Sequence, residues 1–382
     1  MFGCILAFRF AQAPFPHPLD ERHLNRFHFI HAQQLSDLFR VFDSLERGVT
    51  IALAPEDRDL LPRKETLLFP GVPPGQPELA KPAARLGVCS SGSTGRPKLI
   101  WLNWCDLAGA ALPSSTTTGW IWASSFSPDS FAGVQVALQA WRSRGAIVSL
   151  GSDWRENWDL LLGHRVTALS CTPTFLDLLL QFEAESTSGW TPVQITLGGE
   201  VLRRNLGRRF SERFPTALFT VIYASAEHGV LLKTHRLDGW YEVASLRGRT
   251  EWRLKEDILE IRKAGEWSST GDQVEMAGDL IRIVGRADSV ANVGGTKVSL
   301  DEISRLAEEV PGVRRAVAFA RPSAVVGQIV GLKFALDFNQ DPEEVQSRLE
   351  TYLRANVRKE AWPRMWEVGL VGLGSNSKRV RH

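Results

Sequence analysis

Ser90-Ser91-Gly92-Ser93-Thr94-Gly95-Arg96-Pro97-Lys98 decides how this chain is read. Hydroxyl residues and glycines follow one another and end in a lysine. Glycine lets a backbone approach a ligand closely and take unusual φ angles. Serine and threonine hydroxyls donate to phosphate oxygens, and Lys98 adds a compact positive charge. Leu86 and Val88 precede the stretch, and Leu99-Ile100-Trp101-Leu102 follow it, so the loop joins two short strands. A flexible Ser/Gly linker is the plain alternative, but a Pro-Lys ending wedged between strands argues against it. A Walker loop is excluded. It needs two glycines five apart with Lys-Ser/Thr directly after the second. Here Gly92 and Gly95 are three apart, Lys98 comes three later, and Leu99 follows. The loop reads as a polyphosphate cradle of another kind.

Further short stretches stand downstream. They are Thr196-Leu197-Gly198-Gly199-Glu200, then Val221-Ile222-Tyr223-Ala224-Ser225-Ala226-Glu227, then Ser269-Thr270-Gly271-Asp272. Ile283-Val284-Gly285-Arg286-Ala287-Asp288 follows, continued by Val293-Gly294-Gly295-Thr296-Lys297-Val298 and Glu302-Ile303. The last is Gly374-Ser375-Asn376-Ser377-Lys378-Arg379-Val380-Arg381. Each alone reads as a turn, a hairpin, a core aromatic or a charged tail. Their order across residues 90 to 381 does not.

In that order they resemble the stations of the adenylate-forming superfamily: acyl-CoA synthetases, adenylation domains of peptide synthetases, and luciferases. The resemblance implies an α/β fold. A large N-terminal domain of mostly parallel sheets flanked by helices would cover residues 1–287. A small mobile α+β domain carrying the catalytic lysine would cover 288–382. It implies ATP, Mg²⁺ and a phosphopantetheine thiol, either coenzyme A or a carrier protein. Ser90, Ser91, Gly92, Ser93, Thr94, Gly95 and Lys98 would cradle the β- and γ-phosphates. Gly198, Gly199 and Glu200 would cup the adenine and the acyl pocket, with Tyr223, Ala224 and Ser225 beside them. Asp272 and Arg286 would hold the ribose, and Glu227 would hold Mg²⁺. Lys378 would bridge the carboxylate and the α-phosphate. Asp288 would be the hinge, and Gly294, Gly295 and Lys297 would line the thiol tunnel.

The implied chemistry is activation of a small carboxylic acid as an acyl- or aryl-adenylate, then thioester formation with coenzyme A. An o-succinylbenzoate-type acid is one candidate. Loading of a carrier protein is the alternative within catalysis. A degenerate nucleotide- or acyl-binding protein is the alternative outside it. Two departures, Ala226 and the short N-terminal part, motivate that second alternative, and the missing histidine bears on the acyl-pocket and thiol-tunnel assignments. Ala226 stands where the family has threonine, so a hydroxyl contact to the α-phosphate is lost unless Ser225 supplies it. The usual Pro-x-x-His region reads Pro128-Asp129-Ser130-Phe131-Ala132-Gly133, without histidine. The N-terminal part is shorter than the family norm.

Composition bounds the rest. A chain of 382 residues suggests two to three domains. Hydrophobic content of 43% and charged content of 23% are ordinary for a globular protein. A net charge of +2 gives no argument for nucleic acid or an anionic membrane. Cys4, Cys89, Cys105 and Cys171 are scattered without a Cys-x-x-Cys pair, against zinc or a disulfide framework. A reducing cytoplasm is the simplest compartment. Met1 to Phe10 is apolar and ends near Ala11-Gln12-Ala13, but no basic residue precedes so short a run, so a first strand or arm is expected. No run approaches the roughly 18 apolar residues that span a bilayer. Thirteen tryptophans, several between Trp101 and Trp158, read as aromatic core, with an aromatic acyl pocket as the second reading.

Periodicity supplies the elements. Gln33 to Leu45 reads as a helix with Leu35, Leu38, Phe39 and Phe42 on one face. Strands are expected at Val49–Leu53, Ile147–Leu150 and Val166–Cys171, and a helix from Thr174 to Phe182. Such alternation argues for largely parallel sheets with helical crossovers. Beyond Asp288, Ser299 and Glu302 form a capping-box pattern ahead of Ile303, Leu306, Ala307 and Val310. Strands follow at Arg315–Ala320 and Ile329–Ala335, then a helix striped by Val345, Leu349 and Leu353, and a strand from Met365 to Val371.

Overall fold

The computed structural model of the chain describes residues 28–30, 38, 41, 42, 45, 51–53, 85–90, 98–110, 117–182, 189–246, 251–263, 265–337 and 340–369. The chain is α/β, with several sheets flanked by helices. It divides into two compact units. One comprises Met1–Cys171, Leu179–Ile195 and Ser225–Gly229; the other comprises Thr172–Leu178, Thr196–Ala224 and Val230–His382.

The first unit opens with β1 (His28–Ile30), β2 (Ile51–Leu53), β3 (Arg85–Ser90) and β4 (Lys98–Asn103), side by side in that order. The pairs β1–β2 and β2–β3 are parallel. β3 and β4 are antiparallel, with Ser90 opposite Lys98, so the glycine- and hydroxyl-rich stretch joins two neighbouring strands. α1 (Trp104–Ala110), β5 (Ile121–Ser124), α2 (Phe131–Arg142), β6 (Ala146–Ser149), α3 (Trp154–Gly163) and β7 (Ala168–Cys171) follow. β5 pairs in parallel with both β6 and β7, with helices as the crossovers.

Of the expected early stripe, Leu38 and Phe42 lie in the first unit's core, and Leu35 and Phe39 lie outside the described residues. Leu38, Val41, Phe42 and Leu45 are fully or almost fully buried, together with Leu86, Val88, Trp104, Val134 and Leu138. Phe42 stacks on Trp104 at 5.6 Å between ring centroids, and Trp104 meets Trp141 edge-on at 6.4 Å. Trp122, Trp158 and Trp190 are buried as well. The Trp158 indole donates to Leu179 O at 3.1 Å and the Trp190 indole to Val166 O at 2.9 Å. Trp158 and Trp190 are core with their one polar atom satisfied, whereas the Trp122 indole N–H is buried with no hydrogen-bond partner among the described residues.

After α4 (Pro173–Gln181) come β8 (Gln194–Leu197), α5 (Arg204–Arg213), β9 (Leu218–Ser225) and β10 (Gly229–Thr234). Next is an antiparallel sheet of β11 (Tyr241–Glu242), β12 (Trp252–Lys255), β13 (Ile258–Lys263), β14 (Glu266–Ala277) and β15 (Leu280–Arg286), ordered β11-β15-β14-β13-β12. Its β12–β13 hairpin turns on Glu256 and Asp257, both at positive φ of 52° and 60°, as a two-residue primed turn requires. Periodicity alone did not bring this sheet out. Its strands alternate buried and exposed positions over short lengths, Leu259 and Ile261 inward with Glu260 between them.

The chain closes with β16 (Val290–Val293), β17 (Thr296–Ser299), α6 (Leu300–Ala307), β18 (Val313–Ser323), β19 (Gly327–Leu336), α7 (Pro342–Asn356) and β20 (Met365–Val368). The Ser299 hydroxyl accepts the Glu302 N–H at 3.2 Å and caps α6 as its sequence predicts. Asp341 caps α7, with Pro342 at its first position. Ile303, Leu306, Ala307, Val345, Leu349 and Leu353 pack with Phe334, Val330 and Leu332 in one apolar cluster. Among the described residues no helix is long and apolar enough to cross a membrane.

Candidate functional site

Three of the residues singled out from sequence meet in the second unit. Asp272 on β14 lies opposite Arg286 at the end of β15, and Tyr223 reaches Asp272 from β9. The Tyr223 hydroxyl donates to Asp272 Oδ2 at 2.6 Å. Arg286 Nη1 donates to Asp272 Oδ1 at 3.3 Å and to Thr270 O at 2.9 Å. Arg286 Nε donates to Asp288 Oδ1 at 3.3 Å. Local chemistry sets the stage. Gly271 takes φ +71°, and a Cβ there would stand 2.7 Å from Arg286 Nη2, so only glycine lets the guanidinium cross the strand. Thr270 Oγ1 accepts the Asp272 N–H at 3.2 Å and donates to Leu259 O at 2.9 Å, pinning the bend.

Burial shapes the electrostatics of this cluster. Desolvation raises the Asp272 carboxyl above the usual range, against the hydrogen bond from Tyr223 and the charge of Arg286. Desolvation, then the neighbouring Asp272 charge, drives the Tyr223 phenol far upward, so it stays a protonated donor. Desolvation alone would lower Arg286, and the carboxylates of Asp272 and Asp288 outweigh it and raise its pKa. The result is a carboxylate gripped from two sides and a guanidinium left 45% exposed.

The remaining stations are distributed as follows. Gly198 follows β8, where a Cβ would lie 3.5 Å from Ile222 O on β9, and Gly199 takes φ +78°. Glu200 engages the start of α4. Its Oε2 accepts from the Thr174 N–H at 3.2 Å and from the Thr174 hydroxyl, holding the first turn of α4, and its Oε1 is buried with no hydrogen-bond partner among the described residues. Ala224 and Ser225 end β9. Ser225 Oγ meets His228 Nδ1 at 3.1 Å and accepts the His228 N–H at 3.2 Å, so its hydroxyl is engaged in its own turn. Ala226 is 8% exposed and belongs to the first unit's apolar cluster, whereas Glu227 is exposed. Gly294 and Gly295, at φ +59° and +86°, form the two-residue turn between β16 and β17, with Lys297 exposed just after it. Ser90 and Lys98 end β3 and start β4. Ser91, Gly92, Ser93, Thr94, Gly95 and Lys378 lie outside the described residues.

Two partners in this region were not read from sequence. Asp301 Oδ2 accepts the Arg286 N–H at 2.8 Å, and its Cβ lies 2.3 Å from where a Gly285 Cβ would be. Gly285 thereby lets the first turn of α6 close on the end of β15. Thr174 is the other, at the start of α4. Their only sequence signals are an acidic residue in a first helical turn and a threonine after proline, which are too common to single out. Among the described residues no three His, Cys, Asp or Glu side chains gather as a metal site. Glu227 is an exposed carboxylate, and Mg²⁺ takes one or two protein carboxylates and completes its shell with phosphates and water.

Residues 40–261, more than half of the chain, match the model of the family described as AMP-binding enzyme. Over 96 residues the chain is 34% identical to the fatty acid–[acyl-carrier-protein] ligase MmaC of Mycobacterium marinum, covering 25% of this chain and 18% of that protein. Over 232 residues it is 26% identical to the phenyloxazoline synthase MbtB of Mycobacterium tuberculosis, covering 48% of this chain and 16% of that protein. The chain thus spans a minor part of each relative's length. Among solved structures, the anthranilate CoA ligase AuaEII in complex with anthranoyl-AMP superposes with a TM-score of 0.64 at 14% identity, over 93% of this chain and 76% of that one. An E. coli MenE variant with bound OSB-AMS superposes with a TM-score of 0.62 at 15% identity, over 86% and 75%. Those likenesses show a shared fold, and with the family model matched over more than half of this chain, the chain belongs to the AMP-binding enzyme family.

Proposed function

We propose that this chain activates a carboxylic acid with ATP and passes the acyl group to a phosphopantetheine thiol. The observation that carries this reading is the Tyr223–Asp272–Arg286 cluster, a partly buried carboxylate beside an aromatic ring and a guanidinium. A carboxylate accepts from ribose hydroxyls, an aromatic face packs on adenine, and a half-exposed arginine holds a sugar or phosphate edge. Membership of the AMP-binding enzyme family supports the same assignment.

In the first half-reaction a carboxylate oxygen attacks the α-phosphorus of ATP. The bond from that phosphorus to the bridging oxygen breaks, and pyrophosphate leaves. In the second, a thiolate attacks the acyl carbon, the bond to the phosphate oxygen breaks, and AMP leaves. Both pass through crowded negative charge that fixed cations and N–H donors offset. Lys378 is assigned to the carboxylate and α-phosphate, and Ser90, Ser91, Ser93, Thr94 and Lys98 to the departing pyrophosphate. Glu227 would hold Mg²⁺, which would offset negative charge on the polyphosphate. Domains meeting at Asp288 would let one small domain serve both steps in turn, bringing Gly294, Gly295 and Lys297 to the thiol.

Coenzyme A and a carrier protein present the same thiol. The names of MmaC and of FadD10, a medium/long-chain-fatty-acid–[acyl-carrier-protein] ligase of Mycobacterium tuberculosis, favour the carrier protein. ATP–pyrophosphate exchange with a panel of carboxylic acids tests the first step. Exchange with at least one acid is expected, and exchange with none would leave only nucleotide or acyl binding. Offering coenzyme A and a phosphopantetheinylated carrier to the active acid then separates the acceptors. Lys378→Ala is expected to abolish exchange while sparing thiolysis of a supplied acyl-adenylate. Equal loss in both half-reactions would remove Lys378 from that role.

A further inference from the structure

We infer that the Tyr223 hydroxyl is a positioning group that orients the Asp272 carboxylate toward a ribose diol, a role separate from any packing of its ring on adenine. The inference rests on the nucleotide-site reading above and adds a second task to one residue. An ionised carboxylate offers about four acceptor positions on its two oxygens. Tyr223 takes one on Oδ2 at 2.6 Å, and Arg286 takes one on Oδ1 at 3.3 Å. Among the described residues, one acceptor position remains on each oxygen. Neighbouring 2′ and 3′ hydroxyls of a ribose present two donors side by side, so the two free positions match a vicinal diol. A carboxylate held at only one oxygen can still rotate about its terminal bond. Held at both, its plane is set before the ligand arrives, and such preorganisation reduces what binding must order.

The arrangement also keeps each group in the protonation state it needs. Tyr223 is held far above its ordinary pKa by burial and by the Asp272 charge, so it donates and never competes as an anion. The same hydrogen bond favours the ionised form of Asp272 against the desolvation that opposes it. Thr270 and Gly271 fix the backbone beneath the carboxylate, and Tyr223 on β9 and Arg286 on β15 reach it from two other strands.

Tyr223→Phe keeps the ring and removes only the hydroxyl, which separates the two tasks. Calorimetric titration with AMP and with 2′,3′-dideoxy-AMP reads them apart. The wild-type protein should prefer AMP. Tyr223→Phe should weaken AMP by about tenfold, the worth of one hydrogen bond to a charged group, and leave the dideoxy nucleotide within about twofold. In an Asp272→Asn background the same change should cost AMP nothing further. Equal weakening of both nucleotides, or no change in either, overturns the inference while leaving the nucleotide site standing. Failure of the wild-type protein to bind either nucleotide overturns the nucleotide-site reading and this inference with it. Should Tyr223→Phe not fold, 3-fluorotyrosine can replace all three tyrosines, Tyr223, Tyr241 and Tyr352. Its more acidic hydroxyl should hold or increase the preference for AMP over the dideoxy nucleotide, and a fall in that preference overturns the inference.

Discussion

Asp272 is buried enough that desolvation lifts its carboxyl above the usual range, in spite of Tyr223 and Arg286. Two opposite pH effects follow. An acid with a raised folded-state pKa binds its proton more tightly folded than unfolded, so protonating Asp272 adds stability as pH falls through that pKa. A ribose needs the ionised form as acceptor, so AMP affinity should fall over the same window. That window lies above the ordinary aspartate value of about 4. Titrating AMP across a pH series should show the loss, and Asp272→Asn should bind weakly with no such dependence. Ala226 carries a different lesson. Its sequence context marks a missing hydroxyl, yet its side chain sits in the apolar cluster of the first unit at 8% exposure. Ala226→Thr would push a methyl and a hydroxyl into that packing. A loss of about 1 to 3 kcal/mol in urea unfolding is expected, and unchanged stability would mean the site has room for the family's threonine.

Among the elements, α2 shows how a departure from a familiar motif is absorbed. Ser130 caps it through the Gly133 N–H at 3.0 Å, within the Pro128–Gly133 stretch that lacks a histidine. A Cβ on Gly133 would stand 2.0 Å from Ser127 O, so the preceding loop can fold over the helix only because position 133 is bare. Gly133→Ala should therefore cost about 1 to 3 kcal/mol, read as a lowered melting temperature. A solvent-facing helical glycine would gain stability from the same change. The hairpins follow turn chemistry in the same way. Gly294-Gly295 and Glu256-Asp257 both hold positive φ, but only the first announces itself by residue type.

At the scale of the whole molecule, buried charge ties distant parts of the second unit together. Asp177, 1% exposed, accepts from Arg314 Nε at 3.2 Å and pairs with Arg209 at 3.0 Å and Arg315 at 3.6 Å. Arg203 meets Glu308 at 3.2 Å, and Asn205 donates to Glu308 O at 3.2 Å. α4 and α5 are thus joined to the segment running from α6 into β18. Removing one partner of such a cluster strands the others in low dielectric. Asp177→Ala should lose about 3 to 5 kcal/mol, with little dependence on salt because the charges are shielded from ions; a mild loss that vanishes in high salt would contradict this. The proposed turn at Asp288 meets related constraints. Asp301 holds the Arg286 N–H, and the Leu300 N–H donates to Ser289 O at 3.0 Å. Asp288→Pro fixes φ near −65° and should trap one orientation, so that pyrophosphate exchange survives while thioester formation collapses. Undiminished thioester formation with the true acceptor would remove the hinge from the reaction.

Sequence by itself was enough for the family, the α/β class and the two helices near the C-terminal end of the described chain. Those features are local. A glycine- and hydroxyl-rich loop, the Ser299 cap, and the Val345, Leu349, Leu353 stripe are each legible within about four turns of helix or one hairpin. Only tertiary structure decided which residues share a site. Tyr223, Asp272 and Arg286 are separated by up to 63 positions and meet because β9, β14 and β15 deliver them to one place. It also turned Glu200 onto the first turn of α4, buried Ala226 in the core, and brought Asp177 to Arg314 across 137 positions. Pairings of that kind depend on strand order and helix packing, and no local pattern encodes the distance between two residues once the chain has folded back on itself.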